Sequence, residues 1–240
     1  MKIQTKLTEF KKLIEAGMIY KSKAYVSPIN LEFAKSQLTA KGTYTDIMAV
    51  HIIAKKDFFD KYSAESETIP YTPDLLDKLS WKFDEEGFTV ETKKDKIFLS
   101  SGKTKYDTDL EEPDEKPYPF KMAETEHGII PEKIELNSAV LIDSKHLKLP
   151  QADSYFFEIS KGKLKASIKG MGNWSDELKV EKFIGKDDIL IAVDADFFNA
   201  IVNNIEDKVL FVFRENAIII AEHSENLDKT YLLATQNIEE

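Results

Sequence analysis

The residues that could carry chemistry in this chain of 240 residues are its four histidines and its carboxylates, because it contains no cysteine. Without cysteine, disulfides, thiolate metal sites and thiol nucleophiles are excluded. The histidines show none of the short spacings at which two side chains bind one zinc ion; they are His51, His127, His146 and His223. Glu124 and His127 in "ETEH" form only a weak metal pair. The sequence therefore predicts no metal site.

Two further stretches resemble parts of enzyme sites, but a structural interpretation explains each of them better. "GMGNW" (170–174) has two glycines but no following lysine and helix, so a turn between strands is favoured over a phosphate-binding loop. "DAD" (194–196) precedes an amphipathic segment, which favours helix capping over metal binding. No serine, histidine and aspartate arrangement stands out, although sequence order cannot exclude one. These patterns favour a protein that is not an enzyme and uses no cofactor.

Composition and charge restrict the classes of partner. The formal net charge is −10, and Arg214 is the sole arginine among the basic residues. Arginine is the usual bidentate reader of guanine, so its near absence argues against sequence-specific nucleic-acid recognition, or reflects an A/T-rich genome. No apolar run approaches the roughly 20 residues that cross a bilayer. We expect no membrane association and a location in the cytoplasm.

The elements that must position any site alternate between short helices and antiparallel strands. Leu7, Phe10, Leu13 and Ile14 predict a first amphipathic helix. Strands are then expected at "KAYVSPI", "LEFAKSQLTA" and "TDIMAVHIIA", followed by "ETIPY", a helix from Pro73, the hairpin "GFTVETKKDKIFLSS" and the strand "KTKYDTDL".

The second half of the chain repeats this order. We expect a strand and a short helix in "AVLIDSKHLKLPQ", a hairpin in "SYFFEISKGKLKASIKG", strands at "DELKVEKF" and "DILIAVD", a helix in "DADFFNAIVNNIE", the hairpin "VLFVFRENAIIIAEHS" and the strand "KTYLLATQ". Strand, helix, hairpin and strand recur at a nearly constant offset. The sequence therefore predicts an α+β fold made by internal duplication, with antiparallel sheets and two short helices per domain.

The acidic stretch "EEPDEKPYPF" (111–120) interrupts both patterns with three prolines. It falls where one copy of the duplicated domain gives way to the next. We predict a first domain at 1–108, an interdomain connector loop at 109–135 and a second domain at 136–240.

Three stretches of the chain, taken together with their order and spacing, resemble sequences of the DNA sliding clamps. This family includes proliferating cell nuclear antigen and the clamps of tailed phages. "DIMAVHIIAKKDFFDKY" is similar to the clamp strand that runs into F-D-x-Y. "KPYPF" (116–120) resembles a stretch in the connector of phage clamps, and "KTYLLATQNIEE" resembles the terminal strand and acidic tail of the antigen. The resemblance implies a processivity factor whose two-domain subunits close as a homotrimeric ring with pseudo-sixfold symmetry around duplex DNA.

The resemblance also implies two functional surfaces. Lysines of the first three predicted helices would face encircled, non-specifically bound DNA: Lys11, Lys12, Lys78, Lys82, Lys145 and Lys148. The fourth helix carries no lysine, so either loop lysines such as Lys161, Lys163 and Lys165 contribute, or the contact with DNA is unusually weak. The connector and the C-terminal strand would form a hydrophobic pocket for partner motifs from Phe120, Met122, Ile129, Ile130, Leu233, Ala234 and Thr235. The antigen has proline where Thr235 stands.

The implied partners are a DNA polymerase, an ATP-dependent clamp loader, other proteins with a clamp-binding motif, and further copies of the chain. The resemblance also adds the nucleoid or a viral replication site in the host cell as alternatives to the cytoplasm. An alternative keeps the fold but not the ring: a polymerase accessory protein or viral late-transcription factor. A small two-domain enzyme is a third interpretation that no motif supports.

Overall fold

The structure, a computed structural model, describes residues 1–18, 29–44, 47–79, 82–110, 112, 118–168, 173–185 and 187–238, without the side chains of residues 73, 74 and 76. The chain divides into two compact units. Unit 1 contains Met1–Tyr44, Val50–Pro119 and Ser224–Asp228, and unit 2 contains Thr45–Ala49, Phe120–His223 and Lys229–Glu240. The predicted domain and connector boundaries remain a prediction.

The elements up to residue 109 are β1 (Lys2–Thr5), α1 (Leu7–Gly17), β2 (Ile29–Ala34), β3 (Gln37–Tyr44), β4 (Met48–Lys55), a 3-10 turn (Lys56–Phe58), β5 (Lys61–Ser63), β6 (Ser66–Tyr71), α2 (Pro73–Lys78), β7 (Phe88–Lys93), β8 (Lys96–Ser101) and β9 (Thr104–Asp109). They form two antiparallel arrangements, in the strand orders β5-β1-β7-β8-β9 and β4-β3-β2-β6.

The elements from residue 122 are β10 (Met122–Thr125), β11 (Gly128–Pro131), β12 (Ser138–Asp143), a 3-10 turn (Ser144–Leu147), β13 (Ser154–Ser160), β14 (Lys163–Ile168), β15 (Trp174–Leu178), β16 (Lys182–Gly185), β17 (Ile189–Asp194), α3 (Ala195–Val202), β18 (Lys208–Phe213), β19 (Ala217–His223) and β20 (Leu227–Ala234). Their strand orders are β16-β12-β18-β19-β20 and β15-β14-β13-β17, with β10 and β11 as a separate hairpin.

The duplication predicted from the sequence is visible in the order of the elements. In unit 1 the series is β6, α2, β7, β8, β9, and in unit 2 it is β17, α3, β18, β19, β20. The predicted α+β class with antiparallel sheets is therefore confirmed.

Each unit has its own aromatic core beneath a helix. In unit 1 the Phe10 ring of α1 lies 6.1 Å from Tyr71 and 5.5 Å from Phe88. In unit 2 the Phe198 ring of α3 lies 5.1 Å from Phe157 and 5.4 Å from Tyr155. Offset and edge-to-face aromatic pairs add to the free energy gained from burial, so these clusters hold each helix on its sheet.

Two stretches that we expected to be single strands are split. "LEFAKSQLTA" contains the end of β2 and the start of β3, with a bend at Lys35 and Ser36. Successive residues of a strand face opposite sides of the sheet. An unbroken strand would therefore place Leu31 and Phe33 on one face and Leu38 on the other. "DELKVEKF" likewise contains the end of β15 and the start of β16. The strand predicted at "KAYVSPI" lies, apart from Ile29, outside the described residues.

The third predicted helix is a single 3-10 turn at Ser144–Leu147. Asp143 caps it, since its side chain accepts a hydrogen bond from the Lys145 N–H at 3.0 Å. Pro150 disfavours helical backbone at Leu149, so the segment cannot continue as an α-helix. The second unit therefore presents one α-helix and one short turn where two helices were expected.

Candidate functional site

The hairpin of β10 and β11, which lies inside the predicted connector, is fixed to the face of unit 2. The hydroxyl of Thr230 in β20 donates a hydrogen bond to the Ile129 carbonyl. Gly128 has φ +127°, and a Cβ built there would lie 3.5 Å from the Cβ atoms of Ala221 and His223 in β19. The positive φ favours glycine at this position. The hairpin thus packs on β19 and β20 and is not a free loop.

The seven predicted pocket residues divide into buried and surface positions. Ile130 is 3% exposed and Leu233 is fully buried, so both belong to the core of unit 2 and offer no side chain to a ligand. Met122, Ile129, Ala234 and Thr235 are half-buried, and Phe120 is 38% exposed. An apolar surface for a partner would therefore consist of Phe120, Met122, Ile129 and Ala234, with the polar Thr235 next to Ala234 in the chain.

Ile47 also belongs to this surface, although it was not among the pocket residues predicted from the sequence. Its side chain is 41% exposed, and its carbonyl accepts a hydrogen bond from the Ala234 N–H at 2.7 Å. Ile47 and Phe120 are two of the three exposed large hydrophobic residues in the described part of unit 2. The available signal was an apolar residue immediately before the mostly apolar strand β4. We call Ile47, Phe120, Met122, Ile129 and Ala234 the apolar face.

The segment that follows β20 is held by both its backbone and its side chains. The Thr235 hydroxyl donates to the Glu215 carbonyl at 2.6 Å, and the Thr235 N–H donates to the Asn216 carbonyl at 3.2 Å. The Gln236 N–H donates to the Ala192 carbonyl at 2.7 Å. This segment therefore runs from the apolar face to β17 along a defined path.

Tyr118, two residues before the exposed Phe120, packs against a side chain of unit 1. The Tyr118 ring lies 5.4 Å from the buried His51 ring of β4. Burial, with a smaller effect of Lys41, lowers the pKa of His51 to about 4, and burial raises the pKa of Tyr118. Both side chains are therefore neutral at physiological pH, and their contact is an aromatic one.

The six predicted DNA-facing lysines lie on or just after the helical segments. Lys11 and Lys12 are on α1, half-buried and exposed respectively, and the exposed Lys82 follows α2. Lys78 ends α2, and its Nζ lies 5.9 Å from the centroid of the Tyr106 ring. These four residues belong to unit 1.

In unit 2 the predicted lysines are fewer and one is already paired. The Lys145 Nζ lies 2.5 Å from the Asp143 carboxylate and holds the pKa of that carboxyl below its usual range. Lys148 is exposed. The outward residues of α3 and the turn after it are Asp196 and Asn203, which add no positive charge. The described part of unit 2 therefore carries fewer of the predicted DNA-facing lysines than that of unit 1.

The described residues add no metal-binding cluster to these surfaces. No group of three or more histidine and carboxylate side chains there could hold a metal ion. Within "ETEH" the contact of His127 is with its neighbour Glu126, at 2.9 Å. No helix in the described part of the chain is long and apolar enough to cross a membrane.

A comparison with protein-family models finds no match, and a comparison with curated protein sequences finds none either. Solved structures do match. The structure of the C-terminal region of FEN-1 bound to A. fulgidus proliferating cell nuclear antigen (PCNA) superposes with a TM-score of 0.78 at 16% identity, covering 100% of this chain and 99% of that chain.

Two further structures give the same result. A PCNA2–PCNA3 complex from Sulfolobus tokodaii matches with a TM-score of 0.74 at 15% identity, over 98% of this chain and 99% of that chain. PCNA from Entamoeba histolytica matches with a TM-score of 0.76 at 17% identity, over 98% of both chains. At such identities the likeness concerns the fold, and it extends over the whole length. The resemblance drawn from the sequence is confirmed at this level: the chain has the fold of a PCNA-type sliding clamp.

Proposed function

We propose that the chain is a DNA sliding clamp: a non-enzymatic homotrimeric ring that encircles duplex DNA and tethers a DNA polymerase and other replication proteins. The observation that carries the proposal is the match of the complete chain to clamp structures, with both units of the duplication present. An ATP-dependent loader would open the ring, because a closed ring cannot thread onto long DNA.

The strands at the edges of two sheets support assembly. β9 ends the five-stranded sheet of unit 1, and β15 ends the four-stranded sheet of unit 2. An uncovered edge strand invites pairing with another chain, and pairing of β9 with β15 of the next copy would cover both edges. Beside β9 is a cavity of about 330 Å³, to which Leu75, Ile97 and Tyr106 contribute and which a neighbouring copy could fill.

The mass in solution tests the ring directly. Light scattering at micromolar concentration should give about three times the chain mass of 27.4 kDa. Since the chain lacks cysteine, a Lys105→Cys/Asp176→Cys variant places single thiols on β9 and β15 and should give covalent trimers with a short bis-maleimide. Each single-cysteine variant is the control and should give none. A strictly monomeric protein would favour the accessory-protein alternative.

The apolar face is the proposed docking site for the aromatic motif of a polymerase. A buried aromatic anchor can contribute several kcal/mol to an interface. Ile47→Ser should weaken binding of the cognate polymerase's C-terminal peptide at least tenfold in surface plasmon resonance, at low and high salt alike. Val180→Ser, at a half-buried valine between β15 and β16 and outside this face, is the matched control and should bind like the parent. Equal binding by the Ile47 variant would remove the apolar face from this role.

Contact with DNA should be weak and non-specific, because the proposed contacts are lysines facing phosphates. Lysine contacts release counterions, so affinity should fall steeply between about 50 and 200 mM salt. Replacing Lys12, Lys78 and Lys148 by alanine should reduce stimulation of the polymerase without changing the trimer mass. The control replaces Lys35, Lys103 and Lys179, which are exposed residues outside the helices. If both triple variants stimulate the polymerase equally, the assignment of the DNA-facing lysines is wrong.

A further inference from the structure

The outer edge of β17 is only partly covered. On one side β17 pairs with β13, from Ser154↔Asp194 to Ile159↔Ile189. On the other side, the described residues provide one antiparallel bridge, between Ala192 and Gln236. Along an antiparallel strand, the N–H and C=O of one residue point to the same side, and this side alternates. The backbone groups of Leu190 therefore point outward with those of Ala192, past the end of the bridge.

The side chain of Leu190 is also open to a ligand. It is 50% exposed, more than any other large hydrophobic residue in the described part of the chain. Leu190 follows the first residue of β17, whereas Ala192 on the same face is buried. A strand added at this edge would thus find, at the same position, an apolar contact and backbone groups that pair with no described residue on the outer side.

A cavity of about 520 Å³ opens where β17 begins, and its lining is acidic. Among the described residues, the lining has four carboxylates and one guanidinium: Glu135, Asp187, Asp188 and Glu215, with Arg214. The Arg214 guanidinium donates a hydrogen bond to the Glu135 backbone carbonyl at 3.4 Å, so this cation is directed towards the backbone. The surplus of negative charge favours a cationic side chain from a ligand.

The chain's own C-terminal segment does not suit this edge. Continuing the antiparallel bridge from Gln236 and Ala192 would place Ile238 opposite Leu190. In the sequence two glutamates follow Ile238, and like charges repel beside an acidic cavity. A segment with the same apolar residue and basic residues after it would be attracted.

We propose that the outer edge of β17 binds an extended segment of a partner protein in antiparallel orientation. This segment places an apolar residue opposite Leu190 and a lysine or arginine, two residues later, opposite Asp188 at the cavity. The path of Thr235 and Gln236 makes the edge continuous with the apolar face. The inference goes beyond the clamp function, since it requires neither the ring nor DNA.

Fluorescence anisotropy with the full chain tests the proposal. The probe is the fluorescein-labelled peptide TVTITKK, and its control is TVTITEE, which has the same β-forming residues and the opposite charge. TVTITKK should bind at least tenfold more tightly than TVTITEE at low salt. Equal affinities would overturn the proposal.

Protein variants separate the backbone and charge contributions. Leu190→Pro removes the outward N–H while keeping the pairing with β13, and it should weaken TVTITKK binding at least tenfold. Leu190→Thr keeps that donor and should stay within about threefold. Asp187→Lys/Asp188→Lys, at two exposed positions, should abolish the preference for the basic peptide. A preference that survives this charge reversal would overturn the proposal even if the proline variant fails to fold.

The apolar face provides the remaining control. Ile47→Ser should leave TVTITKK binding unchanged while weakening the polymerase peptide. If TVTITKK fails to bind but the polymerase peptide binds normally, the β17 edge proposal fails and the proposed clamp function stands.

Discussion

Replacing Lys229 with methionine should destabilise unit 2 strongly, because Lys229 neutralises a buried carboxylate. Its Nζ lies 2.7 Å from Glu222 Oε2 and donates to the Asn204 carbonyl at 2.8 Å. The side chains of Lys229 and Glu222 are 8% and 6% exposed. The other carboxylate oxygen of Glu222 accepts the N–H groups of Glu206 and Asp207, at 2.7 and 2.8 Å. The pair thus joins β19 and β20 to the turn after α3.

The size of the effect follows from this geometry. Removing one partner of a buried ion pair costs about 3–5 kcal/mol, because a charge remains without compensation. Methionine fills most of the lysine volume, and two N–H groups still contact Glu222, so we expect about 3 kcal/mol, at the lower end of that range. For a chain of this size that corresponds to a fall in Tm of roughly 6–12 °C.

The assay is thermal unfolding followed by circular dichroism, at one protein concentration for every variant. Lys163→Met is the matched control: its ion pair with Glu177 is also 2.7 Å long, but the two side chains are 56% and 50% exposed. An exposed pair contributes about 0–1 kcal/mol, so this control should barely change Tm. If the Lys229 and Lys163 variants lose the same stability, burial does not decide the strength of these pairs.

Three smaller effects should also be measurable. Asp194→Ala should lower the free energy of unfolding, measured with denaturant, by about 1 kcal/mol, because Asp194 caps α3 by accepting hydrogen bonds from the N–H groups of Asp196 and Phe197. The control Asp196→Ala removes no cap and should lower it by less than about 0.5 kcal/mol. Lys161→Asn should raise Tm slightly, since Lys161 has φ 51° and asparagine tolerates left-handed backbone better; a lower Tm would contradict this. In an NMR titration, Lys145→Met should raise the pKa of Asp143 towards its ordinary value. The folded pKa of Asp143 is depressed, so the contribution of this carboxyl to stability is present above the unfolded pKa and is lost as pH falls through the folded pKa. An unchanged pKa of Asp143 in the variant would show that Lys145 is not the cause of the depression.

The sequence predicted the elements whose pattern is local. Leu7, Phe10, Leu13 and Ile14 share a face at the helical period, and all four are buried in α1. The hairpin of β7 and β8 was predicted for the same kind of reason, since a polar turn separates two strand-forming runs.

The rest depends on contacts between residues far apart in the chain. Ile47 becomes part of the apolar face because its carbonyl bonds to Ala234, and no local pattern encodes that contact. Similarly, Ile130 and Phe120 are both apolar residues of the predicted connector, but packing on β19 and β20 leaves one buried and the other exposed. Sequence alone could therefore propose the right segments without deciding which side chains face a partner.

The division into two units has a consequence for synthesis of the protein on the ribosome. Unit 1 includes residues 224–228, where Lys55 bonds to the Asn226 carbonyl at 3.0 Å and pairs with Asp228 at 3.9 Å. Although domains usually fold one after another during synthesis, unit 1 completes these contacts only after residues 224–228 have been translated, and most of unit 2 precedes them in the chain. Two fragments cut in the connector should regain these contacts of unit 1 only after recombination.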